Sequence, residues 1–240
     1  MLVEGGDKVI IPAPSWVSYP AQVLLADAEP VTPLAGIEDE FKLTPEALAA
    51  ELEDPAIRGF ILCSPSNPTG AVYSREELQA LGTVLEDYPN VVVFYDAMYD
   101  RLCYDADPST DFVDANPQLK DRTITFNGFS KTYAMTGWRL GYAIGPTAVI
   151  GAMGKLQSQS TSCATSFAQY GALAALELPD AKIDEMRGIF RRRRDLIVEK
   201  LNAIDGCECP TPGGAFYVFP DFSDFIGDGA RFADDMEFAA

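Results

Sequence analysis

Val91-Val-Val-Phe-Tyr-Asp96 is the most strongly β-forming run of the chain, an unbroken series of β-branched and aromatic residues closed by a carboxylate. A strand apolar on both faces is what the centre of a parallel sheet requires. Working outward toward the C-terminus, residues 123–126 and 140–144 read as further strands. Toward the N-terminus, residues 60–63, 30–34 and 8–11 do the same. Helical patterns fill the gaps. One begins near Ser18 and carries Val23, Leu24 and Leu25. A second is capped by Thr44 with Pro45 in its first turn, both favoured placements. A third opens on the capping box Ser74-Arg-Glu-Glu77. This alternation predicts an α/β fold, a mostly parallel mixed sheet flanked by crossover helices.

Beyond Pro146 the pattern turns helical, in three segments ending near Ile204. The last, through Met186, Phe190, Leu196 and Leu201, is long enough to bridge two domains. Its Arg191-Arg-Arg-Arg194 run reads as a solvated helix side balanced by nearby acids. Residues 215–219 read as a new β element after a Pro/Gly loop, the start of a small C-terminal α+β domain. Both ends read as cut, the first in a loop feeding a strand and the second inside a helical pattern at residues 238–240. The expected division is residues 1–185 as the large domain, lacking its N-terminal part, and residues 186–240 as the bridging helix with an incomplete small domain.

Composition narrows the chemistry. The 240 residues include no histidine, which removes Ser-His-Asp and Cys-His triads and the HExxH zinc motif. Proton transfer near neutral pH then falls to Lys, Tyr, Cys or a carboxylate. With 18 Lys+Arg against 36 Asp+Glu, the net charge of −18 argues against a nucleic-acid partner. Mean hydropathy is +0.00, and no apolar run has the length of a membrane span. Five cysteines, an odd number and scattered except for Cys207 and Cys209, fit free thiols in a reducing cytoplasm. No Gly-x-Gly-x-x-Gly follows a strand, so a nicotinamide-dependent dehydrogenase is disfavoured.

Four stations stand at the carboxyl ends of predicted strands, where open α/β sheets bind ligands. Asp96 closes the central strand. A carboxylate there is costly unless a cation faces it, and a protonated pyridine nitrogen is such a cation. Lys131 lies in Asn127-Gly-Phe-Ser-Lys-Thr-Tyr-Ala-Met-Thr-Gly-Trp-Arg-Leu-Gly141. Lysine is the side chain that forms Schiff bases. Arg139, eight residues on, has the guanidinium to hold the phosphate of a group bonded to that lysine. Asn67, in Ser64-Pro-Ser-Asn-Pro-Thr-Gly70, and Tyr99 can both donate to a phenolate oxygen. Trp16, in Ala13-Pro-Ser-Trp-Val-Ser-Tyr-Pro20, offers a flat ring for stacking. Singly, each has a plainer reading: a turn-capping Asp, a surface Lys, an ordinary ion pair, an Asn-Pro turn, a packing aromatic. Their order and spacing set them apart.

The stretch from Gly128 to Gly141 resembles the lysine signature of class I pyridoxal-phosphate aminotransferases. Ser-Pro-Ser-Asn-Pro-Thr-Gly, then Tyr95-Asp-Ala-Met-Tyr99, then Lys131 follow that family's order of landmarks. Pro14-Ser-Trp-Val-Ser-Tyr-Pro20, Met135-Thr-Gly-Trp-Arg139 and Lys155-Leu-Gln-Ser-Gln-Ser160 are most similar to prokaryotic-type aspartate aminotransferases. The resemblance implies the large domain of a fold-type-I pyridoxal 5'-phosphate transferase. It implies that Lys131 holds the cofactor as an internal aldimine, that Asp96 pairs with the ring nitrogen, and that Tyr99 and Asn67 contact the ring oxygen. Asn67 also neighbours the substrate carboxylate, Arg139 binds the phosphate, and Trp16 stacks on the ring and borders the substrate. Many relatives carry a phosphate-binding Ser three residues before the lysine, where this chain has Gly128; Ser130 is the candidate substitute. Small amino and 2-oxo acids, aspartate and 2-oxoglutarate foremost, are the implied substrates, a homodimer the implied assembly and the cytoplasm the implied location. Family elements for the phosphate and the substrate α-carboxylate fall outside residues 1–240, so the isolated chain is expected to bind cofactor weakly and transaminate poorly. A carbon–sulfur lyase on the same scaffold and a non-catalytic pyridoxal-phosphate-binding module are the competing expectations.

Overall fold

The computed structural model describes residues 2–105, 109–227 and 229–240. Six strands form one sheet: β1 (Lys8–Ile10), β2 (Glu29–Val31), β3 (Ile57–Cys63), β4 (Val92–Asp96), β5 (Thr123–Gly128) and β6 (Gly141–Ile144). Their order is β2-β1-β3-β4-β5-β6. All pair in parallel except β6, which runs antiparallel to β5. That reversal brings the start of β6 beside the carboxyl end of β5, with Gly128 opposite Gly141.

The helices are α1 (Ser18–Leu25), α2 (Pro45–Leu52), α3 (Arg75–Glu86), α4 (Phe112–Ala115), α5 (Thr147–Ser160), α6 (Ser166–Leu176), α7 (Asp180–Asn202) and α8 (Asp235–Ala239). Thr44 accepts from the Ala47 N–H, and Ser74 with Glu77 completes a reciprocal capping box. Strand alternation divides the core between the two faces of the sheet. On one, Ile10, Phe60, Leu62, Val93 and Tyr95 pack with Leu48, Leu78, Leu81 and Leu85 of α2 and α3. On the other, Val9 and Ile11 pack with Tyr19 and Val23 of α1.

Three expectations are corrected. Residues 215–219 form no strand. Ala215 turns the backbone at φ 55°, and the isolated bridges of Cys103 with Gly214 and of Glu208 with Asp221 fall just outside the segment, on either side of it. The strand expected over residues 30–34 shortens to Glu29–Val31. Arg194 is not on a solvated helix side: its side chain is 9% exposed, stacks 4.6 Å from the Tyr104 ring centroid and donates to the Pro212 carbonyl at 3.0 Å. Its neighbour Arg191 does behave as read, paired with Asp105 at 3.0 Å on the surface.

Candidate active site

The carboxyl edge of the sheet opens into a cavity of about 260 Å³. Trp16, Asn67, Asp96, Tyr99, Ser130, Lys131 and Arg139 all line it, so every residue singled out in the sequence reaches one place. Topology explains the convergence. Trp16 follows β1, Asn67 follows β3, Asp96 ends β4, and Ser130 and Lys131 follow β5. Arg139 precedes β6 instead of following a strand, and the antiparallel pairing returns it to the same edge.

Asp96 is held from two sides. Its Oδ2 accepts from the Tyr19 hydroxyl at 2.6 Å and its Oδ1 from the Met98 N–H at 3.0 Å. Two donors offset part of the cost of desolvating a carboxylate and fix its plane. Burial, with Cys63 and Asp96 as neighbours, pushes the Tyr19 phenol far above its ordinary range, so it stays a donor. Burial also drives the Cys63 thiol up to about 12. Tyr19 is a contributor the sequence reading missed, although its place three residues after Trp16, on the first turn of α1, was a usable signal.

Lys131 is placed by a tight loop. The Ala134 N–H donates to the Lys131 carbonyl at 3.2 Å, the Met135 N–H to the Phe129 carbonyl at 3.2 Å, and the Thr136 hydroxyl to the Ser130 carbonyl at 3.0 Å. The loop is tied to the β4 exit through Asn127, whose Nδ2 donates to Asp100 at 2.9 Å while its Oδ1 accepts from the Gly128 N–H. The Lys131 ammonium lies 5.7 Å from the Tyr99 ring centroid and 5.3 Å from that of Phe216. Tyr99 is buried; its phenol, pushed upward by that burial, contacts the Tyr217 hydroxyl at 2.7 Å. Arg139, in the left-handed region at φ 55°, is anchored by donating to the Thr136 carbonyl at 3.0 Å.

Gly128 has a steric reason. A Cβ there would lie 3.0 Å from the Leu140 carbonyl oxygen and 3.1 Å from the Gly141 Cα, closer than most real contacts. A serine in its place would crowd the β5–β6 pairing in this chain. Tyr19, Met98, Thr136 and Tyr217 complete the lining and were not foreseen.

An ammonium, a carboxylate, a guanidinium, an amide, phenols and an indole around one crevice at the sheet's carboxyl edge define a site for an anionic, aromatic small molecule with an amine-reactive group. The chain belongs to the aminotransferase class I and II family, whose model matches residues 1–240. It is 53% identical to an aspartate/prephenate aminotransferase of Cereibacter sphaeroides, covering 98% of this chain and 60% of that one. It is 46% identical to the aspartate aminotransferase of Geobacillus stearothermophilus, covering 92% of this chain and 56% of the relative. The crystal structure of the Rhizobium meliloti aspartate aminotransferase superposes with a TM-score of 0.94 at 43% identity, over 98% of this chain and 60% of that one. The chain therefore spans about three fifths of the length of these relatives.

Proposed function

We propose that this chain carries the catalytic groups of a pyridoxal-phosphate-dependent aminotransferase that exchanges an amino group between an L-amino acid, L-aspartate, and a 2-oxo acid, 2-oxoglutarate, in amino-acid biosynthesis. The observation that carries the reading is the cavity itself, in which Lys131 and Asp96 share one wall-to-wall space of about 260 Å³ with Arg139 and Asn67. The donor set fits the cofactor: an amine for its aldehyde, a carboxylate for its ring nitrogen, a guanidinium for its phosphate. When bound, pyridoxal phosphate supplies an electron sink for charge leaving the substrate α-carbon.

The rest is the work of the chain's own side chains. Asp96, its plane fixed by Tyr19 and Met98, would keep the ring nitrogen protonated. Asn67 and Tyr99 would donate to the ring oxygen, with Asn67 also serving the substrate carboxylate. Trp16 would offer its indole for stacking. Arg139 and Ser130 would hold the phosphate. Lys131 Nζ would be the covalent anchor for the cofactor and the amine available to move the substrate α-proton, the lysine counterpart of the base that histidine supplies elsewhere. Residues 1–185 are assigned as the cofactor domain, with α7 leading into a smaller one from residue 186. We place the protein in the cytoplasm, where its five free cysteines stay reduced, and as a homodimer. Among the described residues no helix is long and apolar enough to cross a membrane.

Product analysis on the full-length protein carrying this chain tests the reading. Aspartate and 2-oxoglutarate should yield oxaloacetate and glutamate in equal amounts. Ammonia release in their place would assign a lyase, and cofactor binding without turnover a non-catalytic module.

A further inference from the structure

We propose that Tyr217 is a positioning residue that acts through Tyr99; this rests on the functional reading above. The two hydroxyls are 2.7 Å apart and either can donate. A phenol has one proton to give. If Tyr99 points its proton into the cavity at the ring oxygen, the proton between the two tyrosines must come from Tyr217. A hydroxyl that accepts one hydrogen bond is polarised into a better donor of the next. Tyr217 thereby sets both the direction and the strength of the Tyr99 hydrogen bond.

The segment carrying Tyr217 is built to hold that geometry. The Gly214 N–H donates to the Gly70 carbonyl at 3.0 Å, the Ala215 N–H to the Leu102 carbonyl at 2.8 Å, and the Tyr104 N–H to the Gly213 carbonyl at 2.8 Å. The Tyr104 hydroxyl also donates to the Ala215 carbonyl. Ala215 is fully buried in the left-handed region at φ 55°. The backbone that delivers Tyr217 is therefore pinned by the loops after β3 and β4. Gly70, at φ +70°, permits the contact: a Cβ there would come 2.4 Å from Pro212 Cβ and 2.8 Å from the Gly214 oxygen. Edge-on ring packing completes the fit, with Tyr99 and Tyr217 centroids 5.7 Å apart at 76°.

The test compares Tyr217→Phe, Tyr99→Phe and the double variant in the full-length holo-protein. The readout is the pH midpoint at which the bound cofactor's visible absorbance changes, with kcat/KM alongside. A phenol donating to the ring oxygen lowers that oxygen's proton affinity, so its loss moves the midpoint to higher pH. Tyr217→Phe should shift it the same way as Tyr99→Phe but less, and lower kcat/KM roughly 2- to 10-fold, the range for one neutral hydrogen bond. In the Tyr99→Phe background, Tyr217→Phe should change nothing further. An unchanged midpoint in Tyr217→Phe, or shifts that add in the double variant, would overturn the proposal while leaving the aminotransferase reading intact. A wild-type protein that binds no chromophore would remove both.

Discussion

Asp96 ends a buried strand, where the Tyr19 hydroxyl and the Met98 N–H each donate to one of its oxygens, and the proposed function gives it the ring nitrogen to face. Asp96→Asn keeps the shape and removes the charge. Loss of a charge-assisted contact of about 3 kcal/mol should lower kcat/KM by roughly 10²-fold, with the fold unchanged by circular dichroism. Turnover within a few-fold of wild type would detach Asp96 from the chemistry. Cys63, beside the same carboxylate, has its thiol raised to about 12. The thiolate is the nucleophile, so iodoacetamide at pH 8 should label exposed Cys163 well before Cys63, as read by peptide mass spectrometry. Equal labelling would contradict the burial argument. At this scale the sequence was informative in combination. A strand-end Asp or a single Lys has a plainer reading, and it is the order of Asn67, Asp96, Lys131 and Arg139 along the chain that sets them apart. Tyr217 is not set apart in this way, because its place depends on Ala215 at positive φ and on carbonyls contributed by Gly70 and Leu102, none of which local pattern encodes.

Elements were legible where period and caps agree. Thr44 and Ser74 cap the helices their spacing predicts, and β3, β4 and β5 fall within a few residues of the apolar runs. Residues 215–219 look like a strand because they are apolar and aromatic, but a strand also needs a partner ladder, and this segment is spent on closing the site. Tertiary contact also overrides propensity at Gly82, in the middle of α3. Propensity alone predicts that Gly82→Ala stabilises by about 1 kcal/mol. A Cβ there would sit 1.9 Å from Asn116 Oδ1, and the buried Asn116 amide donates to the Leu78 and Phe112 carbonyls. Gly82→Ala should therefore destabilise, by about 1–3 kcal/mol, as a lower urea midpoint at constant m-value. A raised midpoint would show that Asn116 relocates without cost.

The whole molecule couples an acidic exterior, net charge −18, to a sheet whose buried groups hold protons. Cys63 and the phenols of Tyr19, Tyr73 and Tyr95 are all raised by burial. The folded chain keeps these protons where the unfolded chain gives them up. Stability is thus full below the ordinary thiol and phenol range, near pH 9–10, and lost as pH rises through it toward 12. Thermal scans should show the melting temperature falling above about pH 9; a flat profile to pH 11 would contradict this. The helices after β6 present Leu156, Phe167, Tyr170, Leu173 and Leu176 to solvent, each 58–75% exposed. Exposed apolar groups in such number mark a contact surface when they are contiguous, and the proposed self-association would use them. Phe167→Ser with Tyr170→Ser should shift sedimentation toward the monomer, and an unchanged profile would place any dimer contact elsewhere. The most direct measurement concerns the lysine itself: borohydride reduction of the holo-protein followed by peptide mapping. The pyridoxyl group should appear on the peptide containing Lys131, and an adduct on any other lysine would contradict the site described here.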